Sequence, residues 1–111
     1  MPKYLTIWHD NPSAPWPLDP TAVMQINEMC IAAIDKDLKS GRILECGWFA
    51  DGTSGYVIST GEDAKAVFTN TFASFPWFEF EVYEVLDYET GKAISRQVMK
   101  AQAEQMAATK R

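Results

Sequence analysis

Residues 76–86, PWFEFEVYEVL, decide the fold, because their side chains alternate with the period of a β-strand and both faces are occupied. Phe78, Phe80 and Val82 fall on one side, and Glu79, Glu81, Tyr83 and Val85 fall on the other. This strand is the last of a series that contains two helices and three earlier strands. The order of those elements predicts the fold class.

The first strand and the first helix are separated by a loop with four prolines. Residues 3–9 have strand composition, and residues 10–20, DNPSAPWPLDP, form a loop that its prolines make rigid. Asp19 and Pro20 are a typical helix start, with a capping carboxylate before a proline at the first helical position. An apolar face at helical spacing extends this helix to about Ser40, and Gly41 ends it.

A hairpin and a second helix follow. Residues 42–50 and 56–60 read as strands joined by the turn sequence DGTSG. Thr60 and Asp63 resemble a capping box, with Asp in place of the usual Glu, and predict a helix that Pro76 ends. Its expected apolar face is Ala64, Val67, Phe68, Thr71, Phe72 and Phe75.

After residue 86, a loop over residues 87–91 is expected to lead into a helix over residues 92–108 with a thin apolar side. We therefore divide the chain into an α+β domain, residues 1–90, and a C-terminal helical extension, residues 91–111. The order strand, helix, strand, strand, helix, strand is the ferredoxin-like βαββαβ arrangement. It predicts a four-stranded antiparallel sheet in the order 4-1-3-2, with both helices on one face.

Composition excludes several classes of function. With 111 residues, 47% hydrophobic, the chain is long enough for a single core. Its net charge of -5 argues against binding to nucleic acid, including an RNA-binding version of the same topology. The apolar runs are too short to span a bilayer, and the N-terminus has no signal-peptide pattern. Two distant cysteines, Cys30 and Cys46, indicate a reduced, cytoplasmic protein with no metal site.

The sheet face away from the helices is expected to be rich in aromatic side chains. Aliphatic and small residues such as Leu5, Ile7, Leu44, Cys46, Val57 and Val82 are expected beneath the helices. The opposite, open face is then expected to carry Tyr4, Trp8, Phe49, Tyr56, Ile58, Tyr83 and Val85. Half-exposed, this set makes a patch of roughly 500–700 Å², which reaches or exceeds the largest patch usual on a monomer, about 300–600 Å². Covering it is worth about 12–18 kcal/mol gross, against an association cost of about 4–15 kcal/mol. We expect a two-fold homodimer, open face against open face.

A single ferredoxin-like unit with an aromatic open face and no phosphate or metal motif resembles the dimeric α+β barrel superfamily. This group includes muconolactone isomerases, cofactor-independent antibiotic-biosynthesis monooxygenases, haem-degrading monooxygenases and the YCII-related proteins. The resemblance covers residues 3–86 and rests on element order and side-chain patterning. It implies a homodimer, no cofactor, and a cavity for an apolar or aromatic small molecule.

His9 and Asp10 are the best candidates for catalytic residues. His9 is the only histidine, so any acid–base chemistry by an imidazole must use it. The pair resembles the His and Asp pairing of YCII-related proteins, although adjacent residues on a strand point to opposite faces. The alternative is a strand-end histidine followed by turn residues, since Asp10 precedes an asparagine and a proline.

The tryptophans are candidate ligand contacts. Trp8, Trp16 and Trp48 would line an apolar pocket, with Trp16 on the proline-rich loop as a lid; the alternative is packing in a core or an interface. Glu45, Glu79 and Glu81 are expected on the open face, as an acid–base group or as charges at the rim. Cys46 has no basic neighbour in sequence and is expected to be an inert thiol.

Two functions follow from these observations. The first is a small cofactor-independent enzyme, of isomerase or monooxygenase type, with His9 as its proton-transfer residue. The second is a non-catalytic module that binds a small molecule or assembles with itself. A pocket of at least about 300 Å³ that His9 reaches would favour the enzyme.

Overall fold

The computed structural model describes residues 2–60, 63–74 and 76–109, and shows an α+β fold with one antiparallel sheet and three helices in these ranges. The elements in chain order are β1 (Lys3–Asp10), α1 (Pro20–Ser40), β2 (Ile43–Trp48), β3 (Ser54–Thr60), α2 (Ala64–Phe72), β4 (Phe78–Val85) and α3 (Tyr88–Thr109). The sheet has the order β2-β3-β1-β4. Phe75, expected on the apolar face of α2, lies outside the described residues.

Helix α1 begins and ends at the residues that the sequence indicates. The Asp19 side chain accepts a hydrogen bond of 3.0 Å from the Thr21 amide, and Pro20 is the first helical residue. Gly41 has a φ of 82°, in the left-handed region, and its N–H donates to the Leu38 carbonyl. Both ends are therefore satisfied by local chemistry that needs no tertiary contact.

The start of α2 differs from the expected capping box. Thr60 belongs to β3, and its hydroxyl donates to the Pro2 carbonyl at 3.1 Å. Asp63 is the N-cap itself, and its carboxylate accepts from the Ala66 amide at 2.9 Å. An aspartate side chain is short enough to cap its own helix, which is why the Thr60 box was the wrong interpretation.

The two faces of β1 are the reverse of the expected ones. Tyr4 and Thr6 are each 5% exposed, and Trp8 lies with Thr6 on the side of the sheet that α1 and α2 cover. Leu5 and Ile7 therefore lie on the open face, where they pair with Ile58 and Tyr56. The prediction that Tyr4 and Trp8 belong to the open face is wrong.

The reason for this reversal is the glycine opposite Trp8. Trp8 pairs with Gly55 of β3, and a Cβ on Gly55 would approach Cζ2 of Trp8 to 2.5 Å. The indole therefore lies directly over the bare glycine backbone. Tyr56 is placed in the same way over Gly47 on the open face, with a ring carbon 3.1 Å from the position of a Gly47 Cβ.

A β-bulge changes the facing of β2. Its register shifts between Ile43 and Glu45, so Leu44 is the extra residue and is 51% exposed. Ile43 instead faces the helices and is 4% exposed. The expected position of Leu44 under the helices is wrong for this reason, whereas Cys46 lies on the helix side with Trp48.

The corrected open face is still apolar. It carries Leu5, Ile7, Phe49, Tyr56, Ile58, Tyr83 and Val85. Tyr83 is 51% exposed, and Phe49 stacks on Tyr56 with ring centroids 6.0 Å apart. Since Leu5 and Ile7 replace Tyr4 and Trp8, the patch is more aliphatic than expected.

Helix α3 begins earlier than expected and extends away from the sheet. The Asp87 side chain accepts from the Thr90 amide at 2.7 Å, so residues 88–91 form the first helical turn and not a loop. The radius of gyration is 19.8 Å, against about 13 Å for a compact domain of this length. Helix α3 has four apolar residues that are 46–63% exposed: Ile94, Val98, Met99 and Met106. No helix in the described ranges has both the length and the apolarity to cross a membrane.

Substituting Gly55→Ala tests the contact with Trp8. The added methyl group would collide with the Gly47 carbonyl oxygen and with the indole. We expect the free energy of unfolding in urea to fall by about 2–3 kcal/mol.

The control is Gly91→Ala in α3, where an added Cβ would meet nothing within 4 Å. It should not lower the urea midpoint, because alanine favours the helix by about 1 kcal/mol over glycine. A Gly55→Ala variant as stable as the wild type would show that Trp8 does not lie over this glycine.

Candidate functional site

A cavity of about 710 Å³ lies between the sheet and the two helices that cover it. Its sheet side carries Thr6, Trp8, Val57, Ser59, Phe78 and Phe80. Helices α1 and α2 contribute apolar groups such as Ile31 and polar groups such as Asn27 and Thr71. The volume is in the range of small-molecule sites, about 300–1,000 Å³.

Aromatic rings set at steep angles form one wall of the cavity. Trp8 makes edge-on contacts with Trp48, at a centroid distance of 6.4 Å, and with Phe78, at 5.5 Å. Trp16 makes an edge-on contact with Phe78 at 6.2 Å. All four rings line the cavity. The predicted ligand contacts Trp8, Trp16 and Trp48 are thus brought together by one site.

The proline-rich loop is held in place at this site by Asn11 and Trp16. The Asn11 side chain donates to the Pro76 carbonyl at 2.9 Å, and the Trp16 indole N–H donates to the Asn11 carbonyl at 2.7 Å. Trp16 also packs on Trp77, with centroids 4.9 Å apart. The loop is therefore a fixed wall of the cavity, and the expected lid residue Trp16 is anchored.

Asp10 places a carboxylate at the cavity beside the rings. Burial and the neighbouring Asp51 carboxylate raise the pKa of Asp10 above its ordinary value. Asp51 has the opposite surroundings, because hydrogen bonds from the Thr53 amide and the Ser54 hydroxyl lower its pKa. Asp51 therefore stays ionised to lower pH than Asp10 does.

A second acidic group at the cavity is neutralised. Asp37 of α1 and Arg42 both line the cavity, and the Arg42 guanidinium is paired with the Asp37 carboxylate. This pair joins the end of α1 to the start of β2. Its charges offset each other, so Asp10 with the neighbouring Asp51 leaves this end of the cavity net negative.

His9 and Asp10 lie on opposite faces of the sheet. His9 belongs to the open face, where its Nε2 is 4.0 Å from Oε1 of Glu81. It is not among the residues that line the cavity. The two candidate catalytic residues are therefore not brought together, as the alternation of a strand requires.

The open face carries the expected glutamates, and two of them are bound to tyrosines. Tyr56 donates to Glu45 at 2.9 Å, and Tyr83 donates to Glu81 at 3.1 Å. These hydrogen bonds raise the pKa of both tyrosines, since deprotonation would remove the donor. The glutamates thus hold the rings of the open face in position.

Both cysteines are half-buried free thiols. Burial raises the pKa of Cys30, and burial together with Asp35 and Glu45 raises the pKa of Cys46. Such thiols remain protonated at neutral pH and are poor nucleophiles. Within the described ranges, no group of three or more His, Cys, Asp or Glu side chains could hold a metal ion.

Sequence reasoning missed several residues of the cavity. Phe78 and Phe80 share the side of β4 that carries Val82, and the structure places both in the wall of the cavity. Ser59, 3% exposed, and the Asp37–Arg42 pair were not predicted to contribute. Their alternation or helical spacing indicates which side they face, but it cannot indicate how far the helices stand from the sheet.

Comparison with known proteins gives no family for this chain: no protein-family model and no curated protein matches it.

Substituting Asp10→Asn and Asp51→Asn should change thermal stability in opposite directions. Partial burial and the Asp51 charge disfavour the ionised form of Asp10, so Asp10→Asn should raise the melting temperature at pH 7. Asp51→Asn should lower it, because a neutral amide oxygen accepts weaker hydrogen bonds than a carboxylate.

The two differences should also depend on pH in the expected sense. The higher melting temperature of Asp10→Asn should approach that of the wild type as the pH falls through the raised pKa of Asp10. The wild-type carboxyl is then protonated and no longer carries the unfavourable charge. The deficit of Asp51→Asn should close as Asp51 itself becomes protonated. Thermal melts between pH 3 and pH 7 followed by circular dichroism measure both, and shifts of the same sign would contradict this electrostatic assignment.

Proposed function

We propose that this protein binds a small aromatic or apolar molecule in the cavity between its sheet and helices α1 and α2. The observation that carries the proposal is the set of aromatic rings around a space of about 710 Å³. Ser59 and Thr6 supply hydroxyl groups at the sheet side, which would orient a ligand. A ligand that covers the apolar part of this half-open wall would remove that surface from water.

Binding is better supported than catalysis. The enzyme hypothesis, an isomerase or monooxygenase without a cofactor, assigned proton transfer to His9. His9 lies across the sheet from the cavity, next to Glu81. Asp10 alone of the candidate pair lines the cavity. A carboxylate without the imidazole that the enzyme hypothesis requires fits a binding site better than a reaction centre.

For the fold family, we propose a ferredoxin-like unit of the dimeric α+β barrel kind. The element order and the sheet order β2-β3-β1-β4 are compatible with that arrangement. The two unpaired thiols support a reducing, cytoplasmic setting. The proposal rests on topology and surface pattern, and it carries no activity over from other members.

A homodimer is the second part of the proposal, and the corrected open face supports it. Its apolar residues include Tyr83 at 51% exposure, Phe49 at 42% and Val85 at 37%, and a second copy would cover them in an interface. Helix α3, with apolar residues such as Val98 at 48% exposure, makes no extensive contact with the other described elements and would add to that interface. A second copy of the chain would supply complementary surface for the open face and for α3.

Blocking the cavity should abolish ligand binding. Asn27 of α1 is exposed and lines the cavity, so Asn27→Trp would fill the space without disturbing buried residues. Isothermal titration calorimetry with 2-phenylethanol should give saturable binding to the wild type and at least about tenfold weaker binding to the variant.

Glu28→Trp is the matched control, because the next residue of α1 is also exposed but does not line the cavity. Its affinity should stay within about threefold of the wild type. Equal weakening by both substitutions would place binding elsewhere.

Adding a charge to the open face should weaken the dimer. Sedimentation velocity at micromolar concentration should give a particle of about twice the 12.5 kDa chain mass. Tyr83→Glu puts a further negative charge beside Glu81 and should raise the dimer dissociation constant at least about tenfold.

The control here is Met29→Glu, at a residue of α1 that is 72% exposed and lies away from the open face. It should leave association unchanged. A 12.5 kDa particle for the wild type would overturn the dimer while leaving the ligand proposal standing.

A further inference from the structure

We infer that the ligand of this cavity is an organic cation, a small aromatic or apolar molecule that carries a protonated amine or a quaternary ammonium group. The inference rests on the proposed function and names the chemical class of the ligand. It is carried by the juxtaposition of the Trp8, Trp16 and Trp48 rings with the Asp10 carboxylate at one end of the cavity.

The ring geometry suits a cation. Trp8 meets Trp48 at an interplanar angle of 87° and Phe78 at 78°, so these rings form a corner and not a stack. In an edge-to-face pair, one ring keeps both of its faces uncovered by the other, and these rings line a half-open cavity. An ammonium group within about 6 Å of such faces is attracted by the ring quadrupole, most strongly by tryptophan.

Asp10 supplies the matching charge. It lies two residues beyond Trp8 on the same face of β1, and it pairs in register with Phe78. Among the described residues, no donor forms a hydrogen bond or an ion pair with its carboxylate. The nearby Asp51, which keeps its own donors, adds negative potential. A ligand ammonium would give this exposed carboxylate a partner that the described residues do not supply.

Other ligand charges fit the site poorly. Of the described residues that line the cavity, Arg42 is the only cation, and it is paired with Asp37. A carboxylate or phosphate ligand would therefore face Asp10 without a cation to offset it. A neutral ligand would contact the rings but would gain nothing from the exposed Asp10 carboxylate. The net charge of -5 favours the approach of cations to the whole molecule.

Three probes of nearly equal shape separate these classes: 2-phenylethylamine, 2-phenylethanol and phenylacetate. Calorimetric titration of the full chain at pH 7 and low salt should give the amine at least about tenfold higher affinity than the alcohol, with phenylacetate the weakest. Added salt should narrow the gap between amine and alcohol, because it screens the attraction to Asp10. Benzyltrimethylammonium tests whether the preference for a cation comes from the rings or from a hydrogen bond to Asp10. Its quaternary ammonium group can contact the rings but cannot donate a hydrogen bond.

Asp10→Asn should reduce the preference for the amine to within about threefold of the alcohol. Glu28→Gln makes the same change of net charge on α1 away from the cavity, and it should keep the preference. Equal affinity of the wild type for amine and alcohol would overturn the cation assignment but not the binding site. Failure of every probe to bind would overturn the proposed function, and the cation assignment with it.

Discussion

The packing of the Trp8 indole over Gly55 is the contact on which the rest of the structure depends. It fixes which side of β1 faces the helices, because any side chain at position 55 would collide with the ring and with the Gly47 carbonyl. With Trp8 on the helix side, Thr6 and Asp10 follow by alternation, and both line the cavity. The same alternation sends His9 to the other face. A single small residue on a neighbouring strand thus decides which titratable group belongs to the cavity.

Much of the fold could be predicted from the sequence because its signals are local. The Asp19 carboxylate and Gly41 set the ends of α1 by hydrogen bonds and backbone conformation within a few residues. The facing of β1 could not be predicted in the same way, since aromatic and aliphatic residues are both apolar and periodicity alone does not say which set is covered. The decisive information is a cross-strand pair, Trp8 with Gly55, which only the register supplies. The bulge at Leu44 could not be predicted for the same reason, because an extra residue in one strand is visible only in its register with the neighbouring strand.

The candidate site was predictable in its chemistry and not in its shape. Tryptophans at positions 8, 16 and 48 indicated an apolar pocket, and all three line the cavity. What the sequence could not show is that α1 stands far enough from the sheet to leave about 710 Å³. That separation depends on the summed volumes of many side chains and on the fixed path of the proline-rich loop. The loop path in turn depends on hydrogen bonds of Asn11 to a residue sixty-five positions away.

Strand β1 contributes side chains to both apolar surfaces of the sheet, the cavity wall and the open face. Strand β1 is central, pairs with both β3 and β4, and contributes Trp8 to the cavity and Ile7 to the open face. Its polar residues divide in the same way, with Asp10 towards the cavity and His9 towards Glu81. Few described side chains are well buried, so apolar area on both sides of the sheet remains exposed to water. A ligand on one side and a second copy on the other would each bury apolar area against the same strand. Since both would restrain β1, occupation of the cavity and association through the open face should favour one another.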